Sequence, residues 1–93
     1  MAPQKAAGEE LSMRLRRLRY RAWHRGTREM DLILGPYSDA RLPGMTALEL
    51  DSFETLLDEI DTDLLDWLTG ALPAPADADH RLLADLLAFK AAQ

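Results

Sequence analysis

The segment Arg25-Gly26-Thr27-Arg28-Glu29-Met30-Asp31 decides how the chain folds, because it separates two stretches that carry the pattern of amphipathic helices. A glycine at such a junction lacks a Cβ, so another protein can approach its backbone closely. Gly26 or Thr27 can cap the second helix, and acidic residues in the first turn of that helix are favoured by its dipole. The segment therefore predicts a tight, exposed junction whose charged side chains can hydrogen-bond a partner.

Apolar residues recur at helical spacing on both sides of this junction, which predicts one helix before it, from about residue 11, and a second directly after it. The apolar stripe of the first helix consists of Leu11, Leu15, Leu18 and Ala22. The stripe of the second helix consists of Met30, Ile33, Leu34 and Tyr37. Gly35 and Pro36 should end or kink the second helix, because proline lacks a backbone N–H and crowds the preceding turn.

A third helix is predicted after a loop at residues 39–44 that contains Pro43-Gly44. Thr46 and Glu49 have the spacing of a capping box, in which two side chains satisfy backbone N–H groups at the start of a helix. The predicted core face of this helix consists of Leu50, Phe53, Leu57 and Ile60.

Two further helices follow, separated by the proline-containing linker at residues 72–76. Gly70 is well placed to end the fourth helix, because glycine tolerates the left-handed conformation common after a last helical turn. The candidate N-caps are Asp61 or Thr62 for the fourth helix and Asp77 or Asp79 for the fifth. The leucines predicted to face the core are Leu64, Leu65, Leu68, Leu82, Leu83, Leu86 and Leu87.

Composition supports an all-α fold. Valine is absent and there are two isoleucines, whereas leucine and alanine dominate, so good helix formers outnumber the residues that favour strands. We predict a small five-helix bundle over residues 11–91, preceded by a flexible N-terminal tail at residues 1–10. The residues predicted to form its core are Leu15, Leu18, Ile33, Phe53, Leu57 and Leu86.

Charge is distributed unevenly along the chain, although the net charge is only −5. Seven of the eleven lysines and arginines lie between Arg14 and Arg28, while residues 46–67 contain eight acids and no base. The arginines can pair with the acidic segment of the same chain, or they can face a partner. The alternative function is therefore that of a small nucleic-acid-binding or regulatory protein that acts through its arginine-rich first helix, although the net negative charge disfavours binding to nucleic acid.

Enzymatic and metal sites find little support in the sequence. His24 and His80 are the only histidines, the serines lack a nucleophile motif, and no glycine-rich phosphate loop is present. Asp61 and Asp63 cannot begin a calcium-binding EF-hand loop, because Leu65 and Asp66 stand where an oxygen ligand and a glycine are needed. We therefore expect a protein that acts by contact, with no catalytic residue and no metal.

The location predicted from the sequence is the bacterial cytoplasm. The chain has no cysteine, which fits a reducing compartment, and no apolar run approaches the roughly 20 residues of a membrane-spanning helix. The first ten residues lack the apolar core of a signal peptide and the arginine-rich character of a mitochondrial presequence.

Residues 13–90 resemble the SdhE family, the succinate dehydrogenase assembly factors that promote flavinylation. The resemblance rests on Arg25-Gly26-x-x-Glu29 within Tyr20–Asp31, which is followed by Leu32-Ile33-Leu34-Gly35. It also rests on the later segment Asp61-Thr62-Asp63-Leu64-Leu65-Asp66-Trp67. A bare RGxxE motif occurs in many proteins, but its combination with the second segment in a short chain is more specific.

The resemblance implies a chaperone that binds the flavoprotein subunit of succinate dehydrogenase, and in bacteria the related fumarate reductase subunit, and promotes covalent attachment of FAD to it. It implies that FAD is attached to the partner and that this chain holds no cofactor stably. The implied partner-binding residues are Arg25, Gly26, Thr27, Arg28 and Glu29. Arg25 would offer a planar donor and Glu29 an acceptor, although Glu29 can equally be favoured only as a helix-start residue. We expect a monomer or weak dimer, without nucleic acid or membrane as partner.

Overall fold

A computed structural model describes the backbone of residues 3–93 and the side chains of residues 10–93. Within these residues the secondary structure is helical, with a short 3-10 turn at Leu42–Gly44 and no strand. The α-helices are α1 (Pro3–Trp23), α2 (Arg28–Arg41), α3 (Ala47–Leu57), α4 (Asp61–Thr69) and α5 (His80–Ala91). The predicted all-α fold with five helices is confirmed.

Helix α1 begins at Pro3 rather than near Leu11. Proline is well suited to a first helical turn, where its missing N–H would have no intrahelical partner. Glutamine, lysine and alanine follow it and are good helix formers. Residues 1 and 2, and the side chains of residues 1–9, lie outside the described residues, so the flexible tail stays a prediction.

Helix α2 continues through Pro36 to Arg41, so it does not end at Gly35 and Pro36, and the alternative of a kink there stays a prediction. The loop predicted at residues 39–44 was wrong, because residues 39–41 belong to α2 and Leu42–Gly44 form a 3-10 turn. Proline removes one backbone hydrogen bond from a helix, which costs about 3 kcal/mol in a helix interior. The residues that follow it, Tyr37 and Ser38, are buried, and the Ser38 hydroxyl donates to the Gly35 carbonyl at 2.7 Å. Tertiary burial of this turn keeps the backbone helical where local preference would end it.

Helices α1 and α2 pack closely at Gly35. A Cβ at this position would overlap the ring of Trp23, so only glycine leaves room for the indole against the α2 backbone. The indole Nε1 also donates to a carboxylate oxygen of Asp39 at 3.2 Å. Trp23 is therefore half-buried between the two helices that the junction connects.

The core is built by apolar residues from all five helices. Tyr37 lies near its centre, with ring centroids 5.9 Å from Phe53 and 5.5 Å from Phe89. Its hydroxyl donates to Asp85 at 2.7 Å, so burial of the phenol leaves no polar atom unpaired. Of the predicted core residues, Leu18, Phe53, Leu57 and Leu86 are buried, whereas Leu15 and Ile33 are partly buried against the core.

Three predicted core positions are instead exposed, namely Leu11, Ile60 and Leu87. Ile60 is outside the core because α3 ends at Leu57, so the helical spacing that predicted it no longer applies. Leu87 follows the buried Leu86, and a step of one residue turns a helical side chain by about 100° away from the core. Leu11 lies before Arg14, which is the first residue to pair with α3 among those α1 side chains that the structure describes.

Three further helix boundaries agree with the local signals in the sequence. Thr46 and Glu49 form the predicted capping box at the start of α3. Gly70 ends α4 with a left-handed φ of 82°, and the Asp79 side chain caps α5 by accepting from the Leu82 N–H. Short polar motifs of this kind act within a few residues, so they can be recognised without knowledge of the tertiary fold.

Candidate functional site

The junction between α1 and α2 is held by Arg25, whose side chain is only 10% exposed. Its Nε donates to Asp61 at 2.8 Å, its Nη2 donates to the carbonyl of Glu59 at 2.5 Å, and its Nη1 donates to the carbonyl of Leu57. These carbonyls lie at or just beyond the end of α3, where a helix leaves acceptors without partners. Arg25 therefore joins the first helical junction to the second one, which connects α3 and α4.

Asp61 completes this arrangement with both carboxylate oxygens. One oxygen accepts from Arg25, and the other accepts from the Thr27 hydroxyl at 3.2 Å. The expectation that Asp61 or Thr62 caps α4 was wrong, because Ile60 occupies the N-cap position without a side-chain bond. The Asp61 carboxylate is instead turned toward the arginine, and we call this set of bonds between Arg25, Thr27 and Asp61 the clasp.

Thr27 is the N-cap of α2, which settles the choice between Gly26 and Thr27. Its hydroxyl oxygen accepts from the Met30 N–H at 3.4 Å while the hydroxyl donates to Asp61. The Asp31 carboxylate accepts from the backbone N–H of Arg25 at 2.6 Å, which bonds the two ends of the junction to each other. The backbone of residues 25–31 is therefore held from both sides.

Gly26 is exposed and has a φ of 105°, in the region that residues with a side chain rarely adopt. A Cβ placed here would meet no atom within 4 Å. Glycine is thus required by the backbone conformation, and the space in front of it is open to another molecule.

Arg28 and Glu29 follow in the first turn of α2 and are both exposed. Neither side chain has a hydrogen bond or an ion pair within the part of the chain whose side chains the structure describes. The five predicted site residues therefore lie together but divide into two groups: Arg25 and Thr27 point into the clasp, while Gly26, Arg28 and Glu29 face solvent. Their contact with a partner stays a prediction.

An exposed aromatic pair, which the sequence analysis did not single out, lies beside the junction and before Gly26. The rings of Tyr20 and His24 are stacked with centroids 4.0 Å apart. The Nδ1 atom of His24 is 2.8 Å from the Tyr20 carbonyl, a bond that requires the proton on that nitrogen. The spacing of four residues on α1 was the available signal, because it places two side chains on one face of a helix.

Most arginines of α1 are paired with acids of the same chain. Arg14, Arg17 and Arg21 each bond an acid 37 residues further along the chain, at 2.6 to 2.8 Å, and we call these pairs the arginine ladder. The acids of the ladder are Asp51, Glu54 and Asp58. The constant offset means that α1 and α3 run in the same direction along this contact.

The ladder changes the electrostatics of the acids that it contains. The hydrogen bond from Arg17 lowers the pKa of the Glu54 carboxyl, and the bond from Arg14 lowers it further. Arg19 is also paired, with Asp39 at 3.0 Å. With these partners, the basic surface of α1 that is free to attract phosphates is much smaller than the sequence indicates.

The described residues contain neither a helix suited to a membrane nor a cluster of side chains suited to a metal ion. No helix among them combines the length and the apolar character that crossing a membrane requires. In the same part of the chain, no three histidine, aspartate or glutamate side chains come together to hold a metal ion.

Comparison with known proteins gives a consistent group of relatives. The family model Sdh5, described as the flavinator of succinate dehydrogenase, matches residues 16–90. The chain is 45% identical over 71 residues to the FAD assembly factor SdhE of Acetobacter pasteurianus, an alignment that covers 76% of this chain and 65% of that protein.

Fungal proteins are also similar. The identity is 38% over 82 residues to the mitochondrial succinate dehydrogenase assembly factor 2 of Mycosarcoma maydis, covering 85% of this chain and 34% of that protein. It is 42% over 62 residues to the protein of the same name from Yarrowia lipolytica, covering 67% and 43%. The chain thus spans 34% to 65% of the length of these relatives. No solved structure matches it.

Proposed function

Since the chain belongs to the Sdh5 family of succinate dehydrogenase flavinators, we propose that it binds the flavoprotein subunit of that enzyme and promotes covalent attachment of FAD to it. Membership of the family confirms the resemblance inferred from the RGxxE motif. The family and the relatives are named for assembly, which agrees with the prediction of an assembly factor rather than an enzyme.

The proposal rests on how the junction is arranged. The polar side chains of Arg25 and Thr27 are bonded within the chain. Gly26, Arg28 and Glu29, which we call the open side of the junction, face solvent. The clasp fixes the backbone, so that Gly26, Arg28 and Glu29 are presented without needing to be ordered by the partner. A surface that is already ordered loses less conformational entropy on binding than a mobile loop does. We propose that this open side contacts the flavoprotein subunit.

Each open residue offers a different interaction. Gly26 leaves room for close approach of a backbone, Arg28 offers a planar cation, and Glu29 offers an anionic acceptor. We assign Arg25 and Thr27 a positioning role, since their polar atoms are engaged by Asp61 and by the carbonyls at the end of α3. This assignment refines the sequence prediction, which treated all five residues as contacts.

The chemistry of attachment belongs, in this proposal, to the flavoprotein subunit and its bound FAD. The present chain contributes a rigid surface that favours the conformation in which attachment occurs, and it holds no cofactor stably. We further propose that the bacterial cytoplasm is its location, that it acts as a monomer or weak dimer, and that the fumarate reductase flavoprotein is a second partner.

A matched pair of substitutions tests the contact at Glu29. Both Glu29 and Asp63 are exposed acids in the first turn of a helix, so Glu29→Gln and Asp63→Asn lose the same favourable interaction with the helix dipole. We expect Glu29→Gln to weaken capture of the flavoprotein subunit by about 2 kcal/mol, roughly thirtyfold, as for an interface hot spot. Asp63→Asn should leave capture unchanged.

The measurement is co-purification of the tagged chain with the subunit, followed by in-gel flavin fluorescence of the captured protein. Equal capture and equal flavin content for both variants would exclude Glu29 from the interface.

Two substitutions at Gly26 separate backbone strain from contact with the partner. Gly26→Ala and Gly26→Arg both place a side chain at a φ of 105°, so each should destabilise the fold by about 1 to 2 kcal/mol. Because no atom lies near this position, the longer side chain adds no clash within the chain. We expect similar melting temperatures but a much larger loss of capture for Gly26→Arg. Equal capture by the two variants would contradict a close approach at Gly26.

A further inference from the structure

A second surface lies beside the arginine ladder and shares Asp51 with it. Residues of α3, of α4 and of the linker before α5 surround a cavity of about 430 Å³. Its apolar lining consists of Leu48, Leu56, Trp67, Pro75 and Ala78. Leu48 is 78% exposed and Trp67 is half-buried, so apolar surface is left open to water at the mouth of the cavity.

The polar lining of this cavity is acidic. The charged residues around it are Asp51, Glu59, Asp77 and Asp79, and no basic side chain lines it in the described part of the chain. Residues 42–79 contain ten acids and no lysine or arginine, so no cation from this part of the chain is available to neutralise them. We call this cavity and its rim the acidic groove.

The acids of the groove differ from those of the ladder in their partners. The ladder engages Asp51 through Arg14, but Glu59 and Asp77 have no side-chain bond among the described residues. The hydrogen bond from the Leu82 N–H lowers the pKa of the Asp79 carboxyl below its ordinary value. The groove therefore presents at least two carboxylates that are free to meet a cation.

These features select one class of occupant. An apolar floor open to water favours an aliphatic or aromatic side chain, and the anionic rim favours lysine or arginine beside it. Phosphate groups of nucleic acid would be repelled by the rim. We propose that the acidic groove binds a basic peptide segment of a partner protein, with one apolar side chain between Leu48 and Trp67 and basic side chains beside Glu59 and Asp77.

The groove adjoins the clasp through a single residue. The carbonyl of Glu59 accepts from Arg25, whereas the side chain of Glu59 lines the groove. The two surfaces are thus joined by the segment between α3 and α4, but they use different side chains. The groove is a site in addition to the open side of the junction, and its occupancy can be measured on the isolated protein.

The test uses a fluorescein-labelled peptide of sequence Gly-Lys-Leu-Arg-Leu-Lys-Gly and two matched peptides. In one, glutamate replaces lysine and arginine; in the other, serine replaces leucine. Fluorescence anisotropy with the full chain should show binding of the first peptide and weakening of about tenfold or more for each of the others. Equal binding of the acidic peptide would overturn the proposal, as would the absence of binding by the first.

Variants of the chain then locate the site. The double variant Glu59→Lys/Asp77→Lys should weaken binding by about tenfold or more, and Leu48→Ser by about fivefold. The controls Asp63→Lys and Leu72→Ser change an exposed acid and an exposed leucine outside the groove and should bind within about twofold of the unchanged chain.

Three outcomes would overturn the assignment. The first is unchanged binding by the groove variants while the circular dichroism of each variant shows a folded protein. The second is an equal loss of binding in the controls. The third is concentration-dependent self-association that Leu48→Ser abolishes, because it would identify a second copy of the chain as the occupant.

Discussion

The clasp and the arginine ladder both pair an arginine with a carboxylate, yet they lie in different environments. The ladder connects α1 to α3, whereas the clasp connects the junction before α2 to the start of α4. In the clasp, the side chains of Arg25 and Asp61 are 10% and 17% exposed, and the guanidinium also bonds backbone carbonyls. In the ladder, those of Arg21 and Asp58 are 33% and 69% exposed and bond only each other. Water therefore screens the attraction between Arg21 and Asp58, whereas burial keeps most water away from Arg25 and Asp61.

The difference shows that the contribution of these arginines to stability cannot be estimated from their number. A surface ion pair contributes about 0 to 1 kcal/mol, because its attraction is offset by side-chain entropy and screening. Removing one partner of a buried pair leaves an unpaired charge and unpaired carbonyls, which destabilises by about 3 to 5 kcal/mol. The position of Arg25 at the end of the series makes it the arginine on which the fold depends.

The largest expected effect is on the free energy of unfolding, which should differ between substitutions of Arg25 and Arg21. Arg25→Met keeps an unbranched apolar stem but removes the guanidinium and its donors, so we expect it to lower the free energy of unfolding by about 3 kcal/mol. Arg21→Met, the control in the ladder, should lower it by less than about 1 kcal/mol. Urea denaturation of both variants measures the two values, and equal losses would mean that burial does not distinguish the clasp from the ladder.

The second largest expected effect is a loss of stability when the packing between α1 and α2 is disturbed. Gly35→Ala would drive a methyl group into the ring of Trp23, and we expect a loss of about 2 kcal/mol, typical of overpacking. Gly44→Ala is a suitable control, because a Cβ there meets no atom within 4 Å. Thermal unfolding should distinguish them, and a Gly35→Ala protein as stable as the control would refute the close packing at this position.

The smallest effect is the pH dependence of the ladder. The pKa of Glu54 is lower in the folded protein than its ordinary value of 4.5, so its ion pairs stabilise the fold fully above that pH. This stabilisation is lost as the pH falls through the lower folded pKa, because the carboxylate then takes up a proton. We expect Glu54→Gln to lose less stability than the unchanged chain between pH 5 and pH 3, by under about 1 kcal/mol.

Denaturation midpoints measured across that range test the assignment, and added salt should reduce the difference between the two proteins. If the midpoint changed with pH in the same way in both proteins, the ion pairs of Glu54 would not contribute to stability.

Local signals in the sequence predicted much of the fold, and the errors share one physical origin. The capping box at Thr46 and the ends at Gly70 and Asp79 depend on atoms within a few residues, so they were predicted correctly. An end of α2 at Pro36 and a core position for Ile60 were predicted wrongly, because burial of Tyr37 carries α2 past the proline and because α3 ends before Ile60. Both outcomes depend on neighbours that are distant in sequence.

At the candidate site, the sequence likewise predicted the local arrangement but not the contacts with distant residues. The five residues from Arg25 to Glu29 were predicted as one surface, and they do lie in one turn. What the sequence could not indicate is that Arg25 faces inward, because its partners at Leu57, Glu59 and Asp61 are 32 to 36 residues away. The acidic groove was likewise invisible, since its lining comes from two helices and a linker.

The amino-acid sequence by itself determined the all-α class, the number of helices, most of their caps and the motif that marks the family, because these depend on composition and on spacings of a few residues. Tertiary structure alone decided which arginines form ion pairs within the chain, which residues of the junction face solvent, and which acids around the groove have no partner among the described residues. Helix propensity and capping act between near neighbours, whereas burial and ion pairing depend on which distant segments the fold brings into contact.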